Sequence, residues 1–192
     1  MSGPPYKHKI LYSRLVHGSF LVSLMALILL FPISITKGKE SFVSTECELK
    51  TAFIYQFTKY VSWPKTKKNK DRLVIGVIAH KHMFDAIKKL DGKLSQGMKI
   101  SVISMKDYSQ LDGIDILYIE SWFPINEELV KKAVKHHVLT ISDRSDAAEK
   151  GIIIALYMVG SKLRFDVNLK VADASSLRLS SRLLRLANKL II

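Results

Sequence analysis

The most apolar stretch of the chain, residues 18–35, reads GSFLVSLMALILLFPISI and carries no charged side chain. Basic residues precede it at Lys7, Lys9 and Arg14, and the first acidic residue of the chain, Glu40, follows it. This order is typical of a secretory signal peptide or an N-terminal membrane anchor. Because no polar position interrupts the run, a buried amphipathic helix is disfavoured. We therefore predict that residues 1–38 direct export across the membrane.

Cleavage of this segment stays open. About 20 residues are needed to cross ~30 Å of hydrocarbon, so the apolar stretch is short for a span. That favours cleavage near residues 36–39 over retention as an inner-membrane anchor, although the small residues expected at a cleavage site are poorly matched there. In both cases residues 39–192 form a single domain on the outer side of the membrane.

After the leader, apolar positions follow two different periods. Residues 46–61 have the spacing of an amphipathic helix, and Trp63-Pro64 ends it. The predicted buried face consists of Leu49, Ala52, Phe53, Phe57, Tyr60 and Val61. Short runs rich in branched apolar side chains predict strands, and helical stretches separate them. The strands are predicted over 73–79, 99–105, 114–119 and 138–141, and the helices over 83–90 and 126–136. This alternation predicts an α/β fold whose mostly parallel sheet is covered on both faces.

The end of the chain breaks the alternation. Strands predicted over 152–159 and 162–169 flank Gly160-Ser161, which indicates a hairpin and one antiparallel edge. Four leucines then recur at helical spacing, at Leu179, Leu183, Leu186 and Leu190. They predict a C-terminal helix over residues 176–190 that docks its apolar face on the sheet.

Charge and cysteine content narrow the function classes. The formal net charge of the chain is +13, and residues 39–192 hold 26 basic and 17 acidic residues, a net charge of +9. A basic domain outside the cytosol suits an envelope surface or an acidic protein partner, and we predict no nucleic-acid partner. The lone Cys47 excludes an internal disulfide. It is either buried and inert or pairs two copies of the chain in a homodimer.

The motifs that carry catalysis or cofactor binding are missing from the sequence. The turn after the first predicted strand, Ala79-His80-Lys81-His82, has no GxGxxG, and no phosphate loop or GxSxG elbow occurs. His80, His82 and Asp85 are candidate metal ligands, but no third close histidine or cysteine completes a site. We therefore predict no catalytic residue, no cofactor and no metal, and treat the strand ends near His80 and Ser142 as the place for any small-molecule pocket.

Two polar or aromatic groups remain as candidates. Asp143, Ser145 and Asp146 follow the fourth strand, where acid–base chemistry and helix capping are the alternatives, and capping is favoured. Aromatic residues stand beside a proline at Trp63-Pro64 and at Trp122-Phe123. We predict Trp63, Pro64, Trp122 and Phe123 as partner-contact residues, with inward-facing tryptophans as the alternative.

Three stretches together resemble the YfiR family of periplasmic regulators. They are LKTAFIYQFTKYVSWP at residues 49–64, VLTISD at 138–143, and LRFDVNLKVADASSLRLSSRLLRLA at 163–187. The resemblance runs across nearly all of residues 46–190. It implies a Rossmann-like three-layer α/β sandwich that acts by protein contact, as in members that restrain an inner-membrane diguanylate cyclase. Members with two disulfides differ from this chain, so their redox behaviour is not implied here.

The sequence thus predicts an exported, non-enzymatic regulatory protein that binds an envelope or inner-membrane signalling protein. Membrane contact, if any, is expected through the N-terminal segment, and a second copy of the chain is a further candidate partner. A periplasmic small-molecule sensor is the alternative. An envelope hydrolase is the third hypothesis, since a Ser-His-Asp triad is assembled in space and leaves no required spacing.

Overall fold

The computed structural model describes residues 38–64 and 71–192. Almost all of them belong to the second of two compact units of the chain, Ser41–Ile192. The predicted leader at residues 18–35 lies outside the described residues. Within the part of the chain that is described, none of the helices is both long and apolar enough to cross a bilayer.

Five helices and ten strands occur in the described residues. The helices are α1 Gly38–Tyr60, α2 Lys81–Lys88, α3 Glu127–Lys135, α4 Leu169–Ala174 and α5 Ser181–Leu184. The strands are β1 Val61–Ser62, β2 Arg72–Ile78, β3 Leu94–Ser95, β4 Met98–Ser104, β5 Ile116–Ile119, β6 Leu139–Ser142, β7 Ile154–Val159, β8 Lys162–Asn168, β9 Arg178–Leu179 and β10 Lys189–Ile191.

Eight of the strands form one sheet in the order β10-β8-β7-β6-β5-β2-β4-β3, and β1 pairs with β9. The strands from β4 through β2, β5 and β6 to β7 are parallel, whereas β7–β8 and β3–β4 are antiparallel. The mostly parallel sheet and the C-terminal hairpin are therefore confirmed. The chain passes from β2 to β4 on one side and then to β5 on the other side. The crevice between β2 and β5 is thus the topological switch point, where α/β proteins place their sites.

Both faces of the sheet are buried, which explains the continuous apolar runs of the strands. On one face α1 and α2 pack against the strands, with core residues Ile54, Phe57, Leu73, Ile75, Met83, Ile87 and Tyr118. On the other face α3 packs against a second cluster that includes Ile78, Leu117, Ile119, Leu129 and Ala133. Helices on both sides of a mostly parallel sheet make the Rossmann-like three-layer sandwich.

The end of α1 is fixed by a residue outside the helix. Gln96 adopts a left-handed backbone conformation, with φ of 50°. Its side-chain amide donates hydrogen bonds to the carbonyl oxygens of Thr58, at 2.6 Å, and Val61, at 2.7 Å. Carbonyls in the last turn of a helix lack partners within the helix, so this amide closes α1.

The C-terminal helix predicted over residues 176–190 is corrected by the structure. Only α5 is helical there, and Leu183 is 2% exposed whereas Leu186 is 66% exposed. Ser176 leaves the helical conformation at φ 56°, which permits Leu179 to pair with Val61. The main-chain N–H of Asn188 then donates to the carbonyl oxygen of Phe165 at 2.8 Å, and the chain continues as β10 along β8. Long-range pairing thus replaces most of the predicted helix.

Candidate functional site

Polar side chains gather at the carboxyl ends of the central parallel strands. His80 follows β2, Glu120 follows β5 and Asp143 follows β6. Because these strands are parallel neighbours, the three residues lie at one edge of the sheet, beside the switch point. We call this the carboxyl edge. The sequence analysis predicted that any small-molecule pocket would lie at this edge, near His80 and Ser142.

A buried lysine connects α1 to this edge. Lys50 is 7% exposed, and its Nζ lies 2.8 Å from Asp143 Oδ2 and 2.6 Å from Glu46 Oε1. Glu46 and Lys50 are one helical turn apart, so both reach the same place. Burial by itself lowers the pKa of Lys50, but hydrogen bonds to Asp143 and Glu46 outweigh it and the net pKa is raised. Lys50 is therefore charged at neutral pH.

Two polar atoms beside Lys50 are buried and, among the described residues, have no hydrogen-bond partner: the Tyr118 hydroxyl and Asp143 Oδ1. Burial is the main cause that raises the pKa of the Tyr118 phenol well above its ordinary value, and the nearby charges of Asp143 and Glu120 raise it further. The phenol thus stays protonated and is available as a donor. Buried polar atoms without partners are uncommon and need an explanation. We call Glu46, Lys50, Tyr118 and Asp143 the Lys50 cluster.

Cys47 lies next to the Lys50 cluster and is half-buried. Burial raises the pKa of its thiol, Lys50 lowers it, and Glu46, Glu120 and Asp143 raise it further, so the net pKa is raised. A thiol that stays protonated is a poor nucleophile. This favours the inert alternative over intermolecular pairing.

Glu120 joins the loops after β2 and β5. Its Oε2 accepts a hydrogen bond from the main-chain N–H of His80 at 2.5 Å and from Trp122 Nε1 at 2.9 Å, and it lies 2.9 Å from His80 Nδ1. His80 immediately precedes α2, whose N-terminus is the position at which related α/β folds bind phosphate. In this protein the Glu120 carboxylate lies beside that N-terminus and binds the amide of the residue before the helix.

An exposed aromatic group adjoins Glu120. Trp122 is 52% exposed, and its ring centroid lies 5.2 Å from that of His80 and 5.5 Å from that of Phe123. Phe123 is half-buried and packs edge-on against Tyr108 at 6.1 Å. We call His80, Tyr108, Trp122 and Phe123 the Trp122 surface. Its tryptophan is held in position by neighbours yet remains accessible, which suits a contact residue.

The other two predicted contact residues lie at the opposite end of the strands. Trp63 is 8% exposed, and its Nε1 donates to the carbonyl oxygen of Asp115, the residue before β5, at 3.1 Å. Pro64 is half-buried. The structure therefore turns one tryptophan inward and the other outward. Partner contact by Trp63, Pro64, Trp122 and Phe123 stays a prediction.

The remaining sequence candidates have ordinary partners. Asp85 pairs with Lys81, and within residues 38–64 and 71–192 no group of three or more His, Cys, Asp or Glu side chains is placed to hold a metal ion. Asp146 pairs with Arg144 and Lys150. Asp143, for which capping was favoured, instead binds Lys50. The alternative of paired carboxylates in acid–base chemistry is thereby weakened.

Sequence reasoning missed Lys50, Tyr118 and Glu120. Lys50 left a weak signal, because the apolar Ile54 and Phe57 follow it at the spacing of one helix face. Tyr118 sits inside an apolar strand, and Glu120 is a single acidic residue after it. Neither residue type stands out in the sequence.

Three comparisons with known proteins bear on this chain. A family model described as YfiR/HmsC-like matches residues 47–188. The comparison with curated proteins finds no match. Among solved structures, a conserved domain protein from Vibrio cholerae O1 biovar El Tor str. N16961 has a TM-score of 0.47 and 10% identity, over 75% of this chain and 60% of that chain.

A second solved structure, the ABC domain in complex with L-Trp from Streptococcus pneumonia, has a TM-score of 0.46 and 10% identity. The match covers 76% of this chain and 60% of that one. The chain therefore spans 60% of the length of each of these two structures.

Proposed function

Because the chain belongs to the YfiR/HmsC-like family, we propose that it is an exported regulator that restrains a signalling enzyme in the cell envelope by direct contact. The observation that carries this proposal is the family match over residues 47–188, nearly the whole described part of the chain. Members of this family regulate rather than catalyse, and they act through protein contact with a signalling partner.

The finer proposal concerns the partner and its location. The basic and apolar N-terminal segment supports export to the periplasm, either cleaved or retained as an inner-membrane anchor. The family supports an inner-membrane diguanylate cyclase as the target, contacted through its external domain. A regulator of this kind shifts its target only by binding two target states unequally, so its affinity must be higher for the inactive cyclase.

The Trp122 surface is the contact surface that the geometry favours. Trp122 combines a half-exposed indole with a hydrogen bond to Glu120 and ring contacts to His80 and Phe123. Little side-chain entropy remains to be lost when such a residue binds, and tryptophan is enriched among residues that dominate binding energy. Trp63 has much less exposed surface to offer.

A cellular experiment tests this proposal. The full chain is expressed with an inner-membrane diguanylate cyclase from the same organism, and cyclic di-GMP is measured together with co-purification of the two proteins. The wild type is expected to lower cyclic di-GMP. Trp122→Ala is expected to weaken co-purification at least tenfold, since buried tryptophan contacts are often worth ~2 kcal/mol or more.

Leu186→Ala is the matched control, because Leu186 is also large, apolar and exposed, at 66%, but lies in the C-terminal segment. It should leave both readings unchanged. Equal loss with both variants would contradict the assignment of the Trp122 surface. Recovery of the full-length chain from the cytosolic fraction would contradict export.

A periplasmic small-molecule sensor is the second candidate function, and a specific observation favours it. The Tyr118 hydroxyl and Asp143 Oδ1 are buried at the switch point without a hydrogen-bond partner in the described residues. A ligand that donates and accepts hydrogen bonds there would satisfy both atoms. A ligand that binds only the folded state raises its melting temperature, so a thermal-shift screen with polar metabolites tests this function.

Two tyrosine variants make the screen specific. A true ligand of the Lys50 cluster should lose its thermal shift in Tyr118→Phe. It should keep the shift in Tyr157→Phe, because the Tyr157 hydroxyl already donates to Asp166 at 3.0 Å. A shift that survives Tyr118→Phe would place the ligand elsewhere.

A further inference from the structure

A second exposed surface lies where α1 ends and β9 begins. Ser62 and Arg178 are register partners across β1 and β9, and both are exposed. The guanidinium carbon of Arg182 lies 5.6 Å from the centroid of the Tyr60 ring, and Arg185 follows three residues later, also exposed. We call Tyr60, Ser62, Arg178, Arg182 and Arg185 the arginine surface.

The charge of the arginine surface is not balanced by ion pairs. Within residues 38–64 and 71–192, neither Arg178, Arg182 nor Arg185 forms a salt bridge. Many other cations do, among them Lys50, Lys88, Lys89, Lys131, Lys132, Arg144, Lys150 and Lys189. Within the described residues, no acidic side chain therefore pairs with these three guanidinium groups, although some lysines are unpaired too. Guanidinium binds carboxylate through two parallel hydrogen bonds, so a carboxylate is the matching group.

The shape beside these arginines distinguishes between kinds of partner. A cavity of about 550 Å³ adjoins Arg178, and Ser62, Trp63 and Ser176 are among its other lining residues. Asp173 also lines it but makes no salt bridge with Arg178 within the described residues. The planar surface of a lipid headgroup layer would meet the exposed arginines first and leave this cavity unfilled, although a single headgroup can enter a basic pocket. A protein can insert a side chain into the cavity, and such anchored pockets are where protein contacts gain most of their binding energy.

We propose that the arginine surface binds an acidic segment of a protein partner, one side chain of which enters the cavity beside Arg178. This surface is distinct from the Trp122 surface. Trp63, in the cavity wall, bonds to the residue before β5, whereas Trp122 follows the end of β5. The inference therefore goes beyond the proposed function and does not depend on it.

Binding of a defined acidic polypeptide tests the inference. Fluorescently labelled poly-L-glutamate is titrated with the full-length chain, and its anisotropy is recorded at low and at physiological salt. Arg178→Glu/Arg182→Glu is expected to weaken binding about tenfold, from two lost charge-assisted contacts and two repulsive ones. Higher salt should weaken the wild-type complex, because exposed charges are screened.

The matched control is Lys106→Glu/Lys162→Glu. Both lysines are exposed, neither has a salt bridge in the described part of the chain, and the change in net charge is the same. It should change the affinity by less than about twofold, as expected for charges outside the contact. Equal weakening by both double variants would overturn the inference, since net charge alone would then explain binding.

Two further measurements address an unfolded variant and a lipid partner. Arg178→Gln/Arg182→Gln removes the charge without repulsion and should still weaken binding severalfold, so it replaces the glutamate variant if circular dichroism shows that variant to be unfolded. Vesicles of pure phosphatidylglycerol are used in the second measurement. Arginine-dependent binding to these vesicles without binding to poly-L-glutamate would overturn the inference in favour of a membrane surface.

Discussion

Lys50 shows how a single charged residue can hold two elements together inside a protein. An ammonium group removed from water is destabilising by several kcal/mol unless opposite charges and hydrogen bonds replace the lost hydration. Asp143 and Glu46 supply both, and Asp143 comes from a loop that follows β6. The pair therefore fixes α1 against the carboxyl edge. Breaking the pair by removing Lys50 should lower the free energy of unfolding, because the buried Asp143 carboxylate would remain without a counter-charge.

This argument predicts the effect of Lys50→Met. The substitution leaves Asp143 buried and uncompensated, so we expect the free energy of unfolding to fall by about 3–5 kcal/mol. Lys89→Met is the control, because Lys89 and Glu48 form an exposed pair and its loss should amount to less than about 1 kcal/mol. Urea denaturation at pH 7 measures both. Nearly equal losses would contradict the buried ion pair.

Cys47 gives a prediction about pH. Since burial and nearby carboxylates raise its pKa, the thiolate fraction at pH 8 should be lower than in a free cysteine peptide. The rate of alkylation by iodoacetamide should therefore rise with pH through a midpoint above that of the peptide. Lys50 lowers the pKa of the thiol, so Lys50→Met should move the midpoint further upward. A midpoint below that of the peptide would contradict the placement of Cys47.

At the scale of elements, the sequence predicted best where local pattern and burial agree. β2, for example, is covered on both faces, and its run of branched residues shows this directly. The buried face of α1 was predicted only in part. Ile54 is fully buried and Ala52 is exposed, because the strands beneath the helix decide which side faces inward. That information is not local.

The helix prediction for the C-terminal segment was wrong for the same physical reason, since long-range contacts decide its structure. β9 is formed by pairing with Val61–Ser62, more than a hundred residues earlier, and β10 exists only because β8 lies beside it. The spacing of the leucines cannot predict these strand partners, because they are distant in the sequence. The candidate site was likewise predictable as a place, at the strand ends, but its Lys50–Asp143 pair joins residues 93 positions apart.

Substitution of two leucines tests whether the C-terminal segment is the predicted helix or the observed structure. Leu183 is buried in the core, so Leu183→Ala should lower the free energy of unfolding by about 2–5 kcal/mol. Leu186→Ala should change it by less than about 0.5 kcal/mol, because Leu186 is exposed. Thermal and urea unfolding of both variants measure the difference. Similar large losses would instead support one docked helix carrying both leucines.

At the scale of the whole molecule, α1 is part of the folded domain. Its residues Ile54 and Phe57 are at most 1% exposed, and they pack in the same cluster as strands from both halves of the sheet. The arginine surface lies beside the end of this helix, whereas Lys50 in its middle contacts the carboxyl edge. One helix therefore connects the regions of both proposed surfaces.

This organisation predicts where the chain can be shortened. A chain of residues 41–192, the second compact unit, should fold with a single cooperative transition. A chain of residues 62–192 lacks α1 and should fail to fold, because core side chains such as Phe57 are lost. Circular dichroism and thermal unfolding distinguish the two outcomes. Cooperative unfolding of the shorter chain would show that α1 is dispensable.

Glu120 has a consequence for how readily this scaffold could acquire nucleotide chemistry. A free phosphate approaching the start of α2 would meet a resident negative charge that already uses the His80 amide. Exchange of this one glutamate for a small neutral residue would release that amide to an incoming anion. Glu120 is therefore one obstacle to phosphate at the switch point, beside the missing glycines of the Ala79–His82 turn, and laboratory evolution toward phosphoryl ligands should have to change both.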